Sequence, residues 1–122
     1  MEITVTSRDS NSPNSDVWVT VVGRIDALES SSFSAEMSVQ LAAAPASLVL
    51  DLEKVDYLDS SGLAIIVRTW RSQQTRNRRF QLVMPASETA KRIFDLAGFD
   101  GVFDVIDSVS SASRDVATSF TT

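Results

Sequence analysis

Residues 48–70 read LVLDLEKVDYLDSSGLAIIVRTW. Leu48, Val49, Leu50 and Leu52 form a short, mostly apolar run, the pattern of a strand covered on both faces. The residues between Leu52 and Asp59 then read as a short acidic loop, and Asp59-Ser60-Ser61-Gly62 leads into a helix. Past the glycine, Leu63, Ile66, Val67 and Trp70 fall at i, i+3, i+4 and i+7, a single helical stripe. Ser60 therefore stands where the carboxyl end of a strand hands over to a helix N-terminus. Open α/β sheets usually present their functional groups at such a place.

The flanking sequence supplies neighbours for this unit. Upstream, residues 3–6 alternate apolar and polar and predict a first strand; residues 7–16 are turn formers around Pro13; residues 17–22 are β-branched and aromatic, a second strand. The two predict an antiparallel hairpin. Gly23-Arg24-Ile25-Asp26 ends the second strand, and Asp26 is either a solvated turn residue or a neighbour of Ser60. A helix follows from Ser30 or Ser31 to Ala43, with Phe33, Met37, Leu41 and Ala44 at helical spacing and Pro45 as its stop.

Downstream of Trp70 come Arg71, Arg76, Arg78 and Arg79, with Asn77 as the left-handed turn residue. Residues 80–84 predict a strand closed by Pro85. Ser87 caps a helix that buries Ala90, Ile93, Phe94 and Ala97; Gly98 ends it, and Phe99 packs back. A last strand is expected over 102–106 and a closing helix over 108–120, through Val109, Ala112, Val116 and Phe120. The order ββαβαβαβα, with five strands and four helices, places the chain in the α/β class. It predicts a mixed, mostly parallel sheet with an N-terminal antiparallel hairpin.

At 122 residues the chain reads as one domain, able to bury roughly two-thirds of its unfolded surface. No apolar run approaches a membrane span and no signal peptide opens the sequence, so a cytoplasmic protein is expected. The absence of cysteine excludes disulfides and thiolate chemistry, and the absence of histidine removes the commonest general base and metal ligand. No cofactor or metal is expected. A net charge of -5 argues against a nucleic-acid binder. The arginines at 68, 71, 76, 78 and 79 read as a solvated helix face and turn, and Trp18 and Trp70 as core residues.

Three physical facts converge on Ser60. Asp59 and the serines can cap free N–H groups, and Gly62 allows close approach. A phosphate on Ser60 would face the positive end of the helix dipole. The carboxylates Asp51, Glu53, Asp56 and Asp59 make a negative rim, to which a phosphoryl group would add about -1.5 to -2 charges. On the residues alone a capped helix start is the simpler reading, since serine caps are common. Catalysis by Ser60 lacks a base: Lys54 and Lys91 are the only lysines, and no motif places either beside it.

The run from Val55 to Ala64 (VDYLDSSGLA) resembles the signature of the STAS-domain family, the bacterial anti-sigma factor antagonists. Gly23-Arg24-Ile25-Asp26-Ala27 and the run from Ala90 to Phe99 (AKRIFDLAGF) resemble the family's other conserved pieces in the same order, so the likeness spans about residues 3–119. The resemblance implies a single STAS domain across 1–122, no enzyme activity, and Ser60 as phosphorylation site with Asp26, Asp59, Ser61 and Gly62 around it. It implies a partner-binding surface of Asp26, Asp59, Ser60, Ser61, Gly62 and Leu63. The implied partners are an anti-sigma factor with serine-kinase activity, bound by the unphosphorylated form, and a phosphatase that reverses the modification. A passive STAS interaction module, such as a transport-associated subunit, is the alternative. The basic turn at 76–79 and the long loop at 7–16 depart from the family pattern.

Overall fold

The elements follow the chain as β1 (Glu2–Arg8), β2 (Asp16–Ile25), α1 (Ser30–Ala42), β3 (Ser47–Leu58), α2 (Ser60–Thr75), β4 (Arg79–Val83), α3 (Glu88–Leu96) and β5 (Asp104–Ile106). The structure, a computed structural model, describes residues 1–8, 16–99 and 101–106. The strands form one sheet in the order β1-β2-β3-β4-β5. β1 is antiparallel to β2, and every later neighbour pair is parallel. Because the order is monotonic and such crossovers are right-handed, α1, α2 and α3 share one face of the sheet.

The core lies between that face and the helices. Val17, Val19 and Val21 of β2, Leu48, Leu50 and Leu52 of β3, and Phe80 and Leu82 of β4 alternate inward. They meet Phe33 and Met37 of α1, Leu63 and Ile66 of α2, and Ala90 and Phe94 of α3 in one cluster. Val49, Asp51 and Val83 are also buried but point to the opposite face, outside that cluster. The α/β class, the mixed sheet and the N-terminal hairpin are thus as expected. Three helices are present among the described residues; the helix expected over 108–120 lies outside them, as does most of the loop expected at 7–16.

Local boundaries differ in instructive ways. The acidic loop expected after Leu52 is instead the second half of β3, which runs to Leu58. Its partner β2 also continues, through Gly23 (φ +106°) to Ile25, by slipping register between Thr20 and Val22 and again between Gly23 and Arg24. Val55 and Leu58 are buried along this extension while Lys54 and Asp56 face solvent, so its polar residues belong to a half-exposed strand. β5 is shorter than expected. Ala97 is the exposed C-cap of α3, and Ala44 stands beyond α1 at φ +50°. Trp18 is only half-buried, on the sheet face away from the helices, where its indole N–H donates to Asp51 (3.4 Å). Asn77 takes the left-handed conformation (φ +58°), as expected.

The basic turn after α2 is a structural tie. Arg76 donates to the Leu41 carbonyl (2.8 Å), which also accepts from the Ala44 N–H (2.9 Å), and Arg78 donates to the Ala44 carbonyl just past the end of α1 (3.1 Å). The wholly buried Gln73 reinforces the joint, its amide donating to the carbonyls of Pro45 (3.3 Å) and Arg79 (2.9 Å). The two helices are therefore fastened together at the end of the sheet opposite Ser60.

Candidate functional site

The site forms where β2 and β3 end side by side. Asp59 leaves β3 in an extended conformation and is the N-cap of α2. Its Oδ1 accepts from the backbone N–H of Ser61 (3.0 Å) and of Gly62 (3.3 Å), and from the Ser61 hydroxyl (2.7 Å). Its own N–H donates to the Ile25 carbonyl (3.4 Å), holding the two strand ends together. Asp59 thus fills a helix cap that the sequence predicts, and Ser61 is drawn into the same network.

Ser60 is the first residue of α2 and is exposed, and its hydroxyl has no hydrogen-bond partner among the described residues. The two adjacent serines are therefore inequivalent: one hydroxyl is committed to Asp59, the other is open to solvent. Gly62 is buried against Leu58 and Ile25, and Leu63 is 4% exposed, inside the core cluster. These two support the site from below. The outward side of α2 is instead formed by Ala64 and Arg68, the latter donating to the Ser34 hydroxyl of α1 (2.9 Å).

Asp26 organises the neighbouring turn. Its Oδ1 accepts from the N–H groups of Leu28 and Glu29 (3.1 Å each), and its main-chain carbonyl accepts from Glu29 (3.0 Å), so it fixes the turn that leads to Glu29, the N-cap of α1. Arg24 lies 3.4 Å from Asp26 Oδ2 and stacks over the Tyr57 ring at 4.3 Å. The two turns meet because the Ala27 N–H also reaches Asp59. Leu28, between them and 91% exposed, is an apolar side chain presented to solvent. Arg24, Tyr57 and Leu28 were not singled out from the sequence; only the pairing of β2 with β3 brings them to the site.

Two carboxylates respond to this architecture in opposite senses. Burial pushes Asp59 upward, but hydrogen bonds from the Ser61 hydroxyl and the N–H groups of Gly62, Ser61 and Ala27 outweigh it and hold the carboxyl below the ordinary aspartate range. Asp51 sits above that range because burial dominates, against hydrogen bonds from the Glu53 N–H, Trp18 and Thr20. The folded state binds the Asp59 proton less tightly than the unfolded chain does, so this cap stabilises fully above the ordinary aspartate range and is lost as pH falls through its folded pKa. Asp51 acts in reverse, the folded state gaining relative stability on acidification. Asp59→Ala is expected to cost about 0.5–2 kcal/mol at neutral pH. That difference from the parent should shrink as pH falls from the ordinary aspartate range through the lower folded pKa, until both states are protonated. Urea unfolding of both proteins across this range measures it, and a pH-independent difference would show that the carboxylate charge adds nothing to the cap.

Chemically, the junction offers an exposed primary hydroxyl at the positive end of a helix of 16 residues, beside a fixed carboxylate. A phosphoryl group there would be favoured by the dipole and opposed by Asp59. Among the described residues no cluster of acidic side chains could hold a metal ion, and no helix is long and apolar enough to cross a membrane.

Comparison with known proteins identifies the family. A family model for the STAS domain matches residues 6–112. The chain is 31% identical over 97 residues to the anti-sigma-B factor antagonist of Bacillus subtilis strain 168, covering 80% of this chain and 87% of that protein. Among solved structures it is similar to an anti-sigma factor antagonist from Mycobacterium paratuberculosis, with 26% identity over 94% of each chain and a TM-score of 0.73. The unphosphorylated form of SpoIIAA shares the fold at 19% identity, 96% and 98% coverage and a TM-score of 0.69. With most of its length matched by the family model and a relative above 30% identity, the chain belongs to the STAS domain family.

Proposed function

We propose that the chain is an anti-sigma factor antagonist that works by partner switching, with Ser60 as its switch. The unphosphorylated form binds an anti-sigma factor that is itself a serine kinase, and so frees a sigma factor; phosphate on Ser60 breaks the complex, and a phosphatase restores it. The protein is a cytoplasmic regulator on this reading and carries no catalytic residue. The observation that carries it is the inequivalence of the two serines: Ser61 is hydrogen-bonded to Asp59 at 2.7 Å, whereas the Ser60 hydroxyl is exposed. Likeness to proteins named as anti-sigma factor antagonists supports the same reading.

The partner surface consists of Ser60 and Asp59 with the Asp26 turn, Leu28, and the outward residues Ala64 and Arg68 of α2. Gly62 and Leu63 act by holding that surface in place. A phosphate acts at such a surface by charge: it adds about -1.5 to -2 units beside Asp59 and Asp26 while leaving the core untouched.

Phosphopeptide mapping of protein taken from its native cells tests the assignment. Tryptic cleavage after Lys54 and Arg68 isolates a peptide in which only Tyr57, Ser60 and Ser61 carry hydroxyls. Phosphate on Ser60 that changes with growth conditions is expected; phosphate on Ser61 alone would contradict the geometry, and none at all would favour a passive interaction module. Ser60→Asp should weaken binding to the kinase by at least about tenfold, or ~1.4 kcal/mol, with an unfolding curve close to the parent's. Unchanged affinity would place the switch elsewhere.

A further inference from the structure

The two edges of the sheet are built differently. β5 has three residues and begins with Asp104, a short, charged edge of the kind that resists pairing. β1 has seven residues, and its interior Ile3-Thr4-Val5-Thr6-Ser7 contains no charge, proline or glycine. It runs against β2 in unbroken register from Glu2 opposite Val22 to Arg8 opposite Asp16, with no bulge to twist its outer edge away. Among the described residues, that outer edge is a row of backbone N–H and C=O groups with no strand beside it. Val5, at its centre, is 36% exposed, and Thr4 and Ser7 are exposed. Among the described residues, the interior of β1 carries no charge, proline or bulge against edge pairing.

We infer that two copies of the chain pair along β1, antiparallel about a two-fold axis through Val5, to give a continuous ten-stranded sheet. The strand is chemically self-complementary about that residue. The axis sets position 2, a glutamate, opposite position 8, an arginine, with Ile3 opposite Ser7 and Thr4 opposite Thr6, so the register brings no like charges opposite one another. A parallel arrangement would instead set Glu2 beside Glu2. Because directly opposite residues in an antiparallel pair share a face, the helices of both copies lie on the same side. The two Ser60 sites lie at opposite ends of the double sheet, so each copy can meet its own partner. This association does not depend on phosphorylation of Ser60.

Sedimentation equilibrium tests the inference. One edge pairing buries less area than a standard stable interface, so weak association is expected. The apparent mass should rise from 13.3 kDa toward twice that value between about 1 µM and about 1 mM. Val5→Lys should weaken the dimer tenfold or more, whereas Val105→Lys on the other edge should leave it unchanged; thermal unfolding checks that both variants fold. The chain has no cysteine, so Val5→Cys provides a second reading independent of the lysine variant. Under mild oxidation it should form a disulfide-linked dimer much faster than Val105→Cys. A monomer at the highest concentration, a dimer weakened by Val105→Lys and not by Val5→Lys, or equal crosslinking of the two cysteine variants would each overturn the proposal.

Discussion

Phe103→Ala should lower the unfolding free energy by about 3–5 kcal/mol. Phe103 is 7% exposed and is in ring contact with four other aromatics. Its centroid lies 5.5 Å from Trp70, 6.3 Å from Phe80 and 5.9 Å from Phe94, all edge-on, and 5.7 Å from Phe99, stacked. Those four belong to α2, β4, α3 and the turn after α3, so one side chain joins the two later helices to the edge of the sheet. Each such pair contributes about 0.5–1.5 kcal/mol beyond area burial, and truncation to alanine removes all four. Phe103→Leu keeps most of the volume and should cost distinctly less. Urea unfolding followed by tryptophan fluorescence measures both variants, since Trp70 reports on the contact directly. A loss below about 1 kcal/mol in the alanine variant would mean that the four rings close over the space.

Phe103 also shows where sequence pattern stops being informative. The sequence predicts it inside the last strand, over 102–106, but it stands just before β5, and its partners come from four separate segments. The strand pattern therefore does not show that it is the centre of this cluster. The elements with strong periodicity were legible: Phe33 and Met37 of α1, Leu63 and Ile66 of α2, and Ala90 and Phe94 of α3 all face the core as their spacing predicts. The second half of β3 was not legible, because Glu53, Lys54 and Asp56 give it the composition of a loop. It is a strand because β2 runs on beside it, and that continuation depends on two register slips that are tertiary events.

The site divides along the same line. The Asp59 cap and its link to Ser61 are local and follow from four residues in a row. The meeting of the Asp26 turn with Asp59 requires β2 and β3 to be neighbours, which spacing alone does not show. Leu63 is a conflict that the sequence already contained. A residue on the buried stripe of an amphipathic helix is not available to a partner as well, and the structure resolves the conflict in favour of the core. The arginines at 76 and 78 end as ties to α1 because the fold brings the turn after α2 beside the carbonyls of Leu41 and Ala44, a placement that spacing does not show.

Gly62→Ala is expected to destabilise the fold by about 1–3 kcal/mol, although alanine is favoured over glycine inside a helix by roughly 0.8–1 kcal/mol. The sign is decided by space. A Cβ built on Gly62 would meet Leu58 Cδ1 at 2.5 Å, Ile25 Cγ2 at 2.8 Å and the Ile25 carbonyl oxygen at 3.1 Å. Leu58 Cδ1 is the end of a flexible side chain and can swing aside. The Ile25 methyl sits on a β-branched carbon, and the Ile25 carbonyl is held by the Asp59 N–H. Relief therefore requires α2 to back away from the end of β2, which strains the hydrogen bonds that fix Asp59 and present Ser60. A double-mutant cycle separates this steric account from a general effect of the substitution. Leu58→Val removes the nearest atom, so Gly62→Ala should cost less in that background than in the parent, by more than the roughly 0.5 kcal/mol scatter expected of independent sites. Additivity would mean that Leu58 is not what alanine meets, and a stabilised Gly62→Ala would mean that the junction has room the geometry denies.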